Sequence, residues 1–341
     1  MVIAFGVYSA EGVDRVGVRR DDQLFAPSAI SPLVAASSLT QLFAAGREAW
    51  IDVIGRLREA DLPPVEGGVV MRLPCEIGDY VDFYSSLHHA QNVGRIFRPD
   101  SEPLTPNWRH LPIGYHGRSG TIVVDGTPIT RPVGQRAQGD FGPSRRLDFE
   151  LEMGFLTGHG PGRIPVEEAE VYIFGLVLVN DWSARDIQAW EYQPLGPFLG
   201  KSFATSVGSW VVPLSELENV RRPAPLQDPP PLPYLSPAGR GLDLALTVSI
   251  NDEIVTRSNT TNLYWTMSQQ LAHATSNGAH LRAGDLFASG TISGPEPDSR
   301  GCLLEITSNT RYLEDGDVIT LATGIPEFGV CSGTVEASDG T

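Results

Sequence analysis

Three stretches of this 341-residue chain carry side chains whose types and spacing could do chemistry. In LDFELEM, residues 147–153, Glu150 and Glu152 stand two apart. The two-residue period of a strand sends both carboxylates to one side. They are too closely spaced for the divided acid and base of a glycosidase, whose carboxylates face each other across the substrate. Joined by Asp82 and Asp181, they would make the oxygen-only donor set that Ca²⁺ or Mg²⁺ takes. A polar strand face opposite the core is the commoner origin of the same alternation.

The second stretch is NDWSARDIQAWEYQPLGPFLGKSFATS, 180–206. Asp181 ends an apolar run, and Ser183 with Asp186 three residues on reads as a helix-capping signal. On the helix that follows, Arg185, Gln188 and Tyr192 recur at i, i+3 and i+7 and share a face. A guanidinium, an amide and a phenol there suit an oxygen-rich ligand; a capping Asp and a solvated face explain the segment equally well. GPFLGKS resembles a phosphate-binding loop, but Gly196 stands one residue too close to Gly200–Lys201 and a helix precedes it, so no nucleotide site is read.

The third is DYVDFYSSLHHAQNVGRIFRPD, 79–100. Asp82 and Tyr84 share one side of an extended segment, and a serine-capped helix follows. His88 and His89 then point about 100° apart, so at most one faces the Asp82 side. An imidazole there suits proton transfer near neutral pH, although a core or surface histidine is the ordinary reading of each. Glu305 interrupts the strand-like CLLEITS; a carboxylate buried there needs a partner, and a histidine is one candidate. Tyr115, His116 and Arg118 sit on the glycine-framed GYHGR, and SGTISGPEP, 289–297, is a loop able to bring backbone donors to a ligand.

Positioning these groups falls to many short β-like runs with turn punctuation, among them TIVVDGTPITRP, VYIFGLVLVN, LDLALTVSIND and DVITLATG. They predict a mainly β, α+β protein with few helices. Residues 1–70 read as a separate unit, with helical segments at Pro32–Ala45 and Ala49–Ala60 and a linker at 62–68; residues 71–341 form the larger unit. Hydrophobic content of 41% with 19% charged residues is that of a globular chain. The net charge of −16 argues against nucleic acid and anionic membranes as partners. Three separated cysteines predict no disulfide framework. No basic, apolar leader opens the chain and its best apolar run, 172–179, is too short to span a bilayer, so a cytoplasmic location is expected.

DFYSSLHHAQNVG, PNWRHLPIGYHGR, LDFELEMGF, NDWSARDIQAWEYQPLGPFLGKSF and ASGTISGPEP together resemble the fumarylacetoacetase branch of the fumarylacetoacetate hydrolase family. The resemblance runs in order along the whole chain. It implies a small SH3-like N-terminal barrel, a C-terminal mixed β-sandwich roll, a homodimer, and hydrolysis of 4-fumarylacetoacetate to fumarate and acetoacetate, the last step of tyrosine and phenylalanine breakdown. It matches Asp82, Glu150, Glu152 and Asp181 to Ca²⁺ ligands, and Asp181, Lys201 and Thr205 to an adjacent Mg²⁺ site of mainly structural role. His89 matches the catalytic base, oriented by Glu305, with Arg185, Gln188 and Lys201 around the developing oxyanion. Tyr84, Arg98, Tyr115, Gln188, Tyr192 and Thr291 match substrate contacts. Ala204 stands where the family has glycine beside the Mg²⁺ site, and His88 has no implied role.

Overall fold

The protein, in a computed structural model that describes residues 2–338, is a strand-rich α+β chain. Its first strands are β1 (Ala4–Ala10), β2 (Val13–Arg20) and β3 (Gln23–Phe25). The β1–β2 hairpin turns on Glu11 and Gly12, both at positive φ, which two-residue hairpins with the right twist require. Helices α1 (Thr40–Ala44) and α2 (Arg47–Glu59) follow, then β4 (Val70–Arg72), which pairs back on β1. The pairing runs β3–β2–β1–β4 and stays open, so these strands do not by themselves close the expected barrel. Of the helix expected over Pro32–Ala45, only a 3₁₀ turn at Pro32–Val34 and the short α1 form. The Ser31 and Ser38 hydroxyls accept hydrogen bonds from the Leu33 and Thr40 amides, local turns that compete with helix.

The site is built on an eight-stranded sheet. It includes β5 (Tyr80–Phe83), β6 (Gly114–His116) and β7 (Ile122–Val124). From β6 and β5 the order continues through strands Leu286–Ala288, Leu151–Thr157, Ile173–Asp181 and Thr205–Val207 to β7. GYHGR is therefore partly strand rather than a free loop. All nine residues of Ile173–Asp181 are buried, because both faces are covered, as its near-continuous apolar run demands. Val177 and Val179 join Phe5, Val7 and the α2 side chains Trp50, Val53 and Leu57 in one core. Leu176 and Leu178 join Leu246, Val248, Ile319 and Leu321 of a second, five-stranded sheet in another. The N-terminal segment thus shares its core with the central sheet.

Four further helices place functional side chains or cover them: α3 (Leu87–Phe97), α4 (Arg185–Glu191), α5 (Met267–Thr275) and α6 (Leu303–Ile306). Ser86 caps α3 as expected, accepting from the His89 amide. Two expectations fail for a shared reason, tertiary contacts overriding local signals. Helix α4 starts after Ala184 with no side-chain cap: Ser183 donates to the Asp181 carbonyl, and Asp186 accepts from Ser144 and the Arg145 amide. Glu305 lies on α6, not on a strand, because the Asp148 carboxylate accepts the Leu303 and Leu304 amides at 2.7 and 3.0 Å and caps a turn the local sequence does not announce.

Candidate active site

Glu150 and Glu152 are 5% and 0% exposed, which removes a solvated strand face as the origin of their alternation. With Asp82 at the end of β5 and Asp181 at the end of Ile173–Asp181, both almost fully buried, they bring carboxylate oxygens within 4.8 Å of one another. Two cations face this set. Lys201 Nζ lies 2.6 Å from Glu150 Oε2 and 2.5 Å from Asp181 Oδ2, and Arg185 Nη1 lies 2.7 Å from Glu150 Oε1. Arg185 is shared with a fifth buried carboxylate, Asp148, through a 2.9 Å bond from Nε.

Five carboxylates against two cations leave three negative charges without a fixed partner in a buried site, which proteins do not tolerate without protons or a metal. The imbalance is uneven. Burial would raise the Glu150 carboxyl, but Lys201 and Arg185 hold it below the ordinary range. Burial and the negative charge of Asp181 push Asp82 well up, and burial and Asp82 do the same to Glu152. Asp82 Oδ1 and Glu152 Oε1 accept no hydrogen bond from the protein, while Gly290 N–H donates to Glu152 Oε2 at 3.1 Å. A hard divalent cation, bound by oxygens alone, fits this donor set. Burial works against the Lys201 ammonium, yet Asp181 and Glu150 raise it well above its ordinary value. An ammonium has no lone pair, so Lys201 could serve an ion only through its carbonyl oxygen. Thr205 Oγ1 donates to Asp181 Oδ1 at 3.1 Å.

On the other wall stands His89, 4% exposed. Its Nδ1 is 2.6 Å from Glu305 Oε2, which leaves Nε2 as the nitrogen free to take a proton. Glu305 also accepts from Ser293 Oγ at 2.7 Å, Asn92 Nδ2 at 2.8 Å and the Cys302 thiol at 3.2 Å. Burial opposes its ionisation, but His89 and these donors hold its carboxyl down at about 2. Tyr84 meets the His89 ring edge to face, centroids 5.3 Å apart. His88 is only partly buried, and burial lowers its value.

Both walls open on one cavity of about 400 Å³, the size of a small-metabolite pocket. His89, Asp82, Glu150, Arg185 and Lys201 line it, with Tyr84, Arg98, Tyr115, Gln188, Tyr192 and Thr291 around them. Glu152, Asp181, Thr205 and Glu305 are not in its lining and act from behind it. Arg185 Nη1 donates to Gln188 Oε1 at 3.3 Å, whereas Arg185 Nη2 and Thr291 Oγ1 are buried without hydrogen-bond partners. The Tyr115 hydroxyl is committed to Asp181 Oδ2 at 3.1 Å. Reading the sequence missed Asp148, Ser293 and Asn92. Asn92 follows His89 by one helical turn, a spacing that could have found it; Ser293 reaches Glu305 from a loop and left no local signal.

Residues 80–336 match the family model described as fumarylacetoacetate (FAA) hydrolase, C-terminal. The chain is 47% identical to the fumarylacetoacetase of Arabidopsis thaliana over 350 residues, covering 88% of this chain and 83% of the relative. It is 43% identical to that of Caenorhabditis elegans, covering 99% and 96%, and 41% identical to that of Homo sapiens, covering 98% and 94%. Among solved structures it resembles a fumarylacetoacetate hydrolase from psychrophilic Exiguobacterium antarcticum, with TM-score 0.68, 20% identity and 98% and 99% of the two chains covered. It also resembles the fumarylpyruvate hydrolase of Pseudomonas aeruginosa in complex with Mn²⁺ and pyruvate, with TM-score 0.53, 19% identity and 80% and 94% covered. These two likenesses speak to the fold.

Proposed function

The chain belongs to the fumarylacetoacetate hydrolase family, and on that premise we infer that its active site hydrolyses the carbon–carbon bond of 4-fumarylacetoacetate, giving fumarate and acetoacetate. One observation carries the reading: a buried His–Glu pair and a four-carboxylate cluster open on the same cavity. Water must lose a proton to become a nucleophile, and a carbanion must depart. His89 Nε2 takes the proton, while Glu305 fixes the tautomer through Nδ1 and stabilises the imidazolium. The oxyanion that develops on the attacked carbonyl meets the Arg185 guanidinium, the amide hydrogens of Gln188 and the third hydrogen of Lys201 Nζ, three groups that line the cavity. One such donor is worth roughly 3–4 kcal/mol of barrier. Collapse breaks the carbon–carbon bond, and the proton held by His89 returns to the departing carbon, so water's hydroxyl ends on fumarate and its hydrogen on acetoacetate. Arg98, Tyr84 and Tyr192 hold the terminal carboxylates, which is how a chain of net charge −16 takes a dianion.

The cation held by Asp82, Glu150, Glu152 and Asp181 is read as Ca²⁺; when bound, it supplies Lewis-acid polarisation of the substrate's oxygens. A neighbouring Mg²⁺ at Asp181, Thr205 and the Lys201 carbonyl is read as structural. We take the protein to be a cytoplasmic homodimer, with an N-terminal unit of residues 1–70 and a catalytic unit of residues 71–341; among the described residues no helix is long and apolar enough to cross a membrane. The test is the loss of ultraviolet absorbance on adding fumarylacetoacetate to the purified protein, with and without chelator. Absence of turnover in the metal-loaded protein overturns the reading.

A further inference from the structure

Asp148 belongs to the same alternating stretch as Glu150 and Glu152, is fully buried, and does not line the cavity. It makes no contact with the acidic cluster other than through Arg185. Four donors converge on its two oxygens. Oδ1 accepts from its neighbour's amide, Phe149 N, at 2.9 Å and from Leu303 N at 2.7 Å. Oδ2 accepts from Arg185 Nε at 2.9 Å and from Leu304 N at 3.0 Å. The two latter groups come from opposite walls of the site. Arg185 is the guanidinium of the oxyanion wall. Leu303 and Leu304 open α6, the four-residue helix that carries Glu305 behind His89. Cys302, the N-cap of α6, makes no side-chain cap bond, so the first amides of this helix depend on a carboxylate some 155 positions earlier in the chain.

We propose that Asp148 is the positioning residue that sets the proton-transfer wall and the oxyanion wall of the site in register with each other. This rests on the roles given above to Arg185 and Glu305. A carboxylate is needed because all four partners are donors; an amide offers one acceptor oxygen and turns two hydrogens either toward Phe149 N and Leu303 N or toward Arg185 Nε and Leu304 N, so an α6 amide loses its partner in both orientations. Either way α6 lets Glu305 drift from His89, and in the second orientation the guanidinium also swings from the place where charge develops. Ångström displacements of this kind cost about 10²-fold.

The test is Asp148→Asn in the metal-loaded enzyme. The expected result is kcat reduced 10²- to 10³-fold, with metal content and the affinity for fumarate as a product probe within a few-fold of wild type. Faster amide exchange at Leu303 and Leu304 should accompany it. In the double variant with Arg185→Lys, the loss should fall at least tenfold short of the product of the single losses, because each change disables the same wall. A kcat within tenfold of wild type overturns the proposal, as do losses that simply multiply, or a loss confined to metal content. If Asp148→Asn does not fold, Asp148→Glu keeps the charge while shifting both oxygens by a methylene, and the same readouts apply. Wild-type turnover in the same assay tests the underlying reading separately: an inactive wild type refutes that reading, whereas an active wild type with an unimpaired Asp148→Asn refutes only the role of Asp148.

Discussion

Replacing Glu305 by glutamine isolates what its charge does for His89. The amide can keep its oxygen on His89 Nδ1 and Ser293, now at 2.6 and 2.7 Å, so the tautomer survives. Its NH₂ then faces Asn92 Nδ2, a clash of donors that an Asn92 amide flip relieves at the cost of the exposed 3.2 Å bond that Asn92 Oδ1 accepts from Arg95. What disappears is the negative charge behind the imidazolium. In the native site burial disfavours that charge, yet His89 and the donors bring the Glu305 carboxyl from 4.5 to about 2. A charge-assisted hydrogen bond of this kind is worth about 1.5–3 kcal/mol, or roughly 10- to 10²-fold in rate. We expect kcat to fall by about 10²- to 10³-fold, short of the roughly 10⁴-fold seen when an aspartate behind a histidine is made an amide and the wrong tautomer results. KM and bound metal should stay within a few-fold of wild type. The assay is steady-state loss of substrate absorbance, with elemental analysis of the same samples. A kcat within tenfold of wild type would refute the imidazolium argument, and a proportional loss of metal would move the effect to the wrong wall.

Glu150→Gln and Glu152→Gln should each lose divalent metal, since each withdraws one charged oxygen donor from a buried set; full occupancy in both by elemental analysis rules out the cage. Because Glu305 ionises at a lower pH folded than unfolded, its contribution to stability is present above about pH 4.5 and is lost as pH falls toward 2. The stability difference between wild type and Glu305→Gln, read by urea unfolding, should therefore shrink across that window; a difference constant from pH 7 to 3 contradicts the sign. Gly94→Ala should cost about 1–3 kcal/mol, because its Cβ would meet the Pro103 carbonyl oxygen at 1.9 Å on the helix that carries His89. An unchanged Tm would show that the 98–103 turn yields freely.

Local spacing was enough to pair Glu150 with Glu152, to allow only one of His88 and His89 into the site, and to gather Arg185, Gln188 and Tyr192 on one face of α4. Each of these follows from a period of two or 3.6 residues. It could not decide between a solvated face and a buried cage, because burial is set by what packs on the strand from elsewhere. The placement of Glu305 failed for that reason: CLLEITS has the apolar content of a strand, and only a carboxylate 155 residues away makes its first turn helical. Ser183 likewise had the chemistry of a cap but found a carbonyl nearer to hand. The Asn92 contact to Glu305 depends on a pairing of α3 with α6, and the Ser293 contact on a loop seated against α6, neither of which one segment encodes alone.

The four clustered carboxylates come from segments separated by up to 99 positions, Asp82 to Asp181: Asp82, Glu152 and Asp181 stand on three strands of one sheet and Glu150 just before one of them. No local fragment of the nascent or unfolded chain can present such a set, so an ion finds its full complement of oxygens only after the long loops between those strands have closed. An ion bound there would in kinetic terms be captured late, and its free energy would go to the finished sheet rather than to the early hairpins. A cation arriving last would also act as a tie across the longest closures in the fold, stabilising most the contacts that form most slowly.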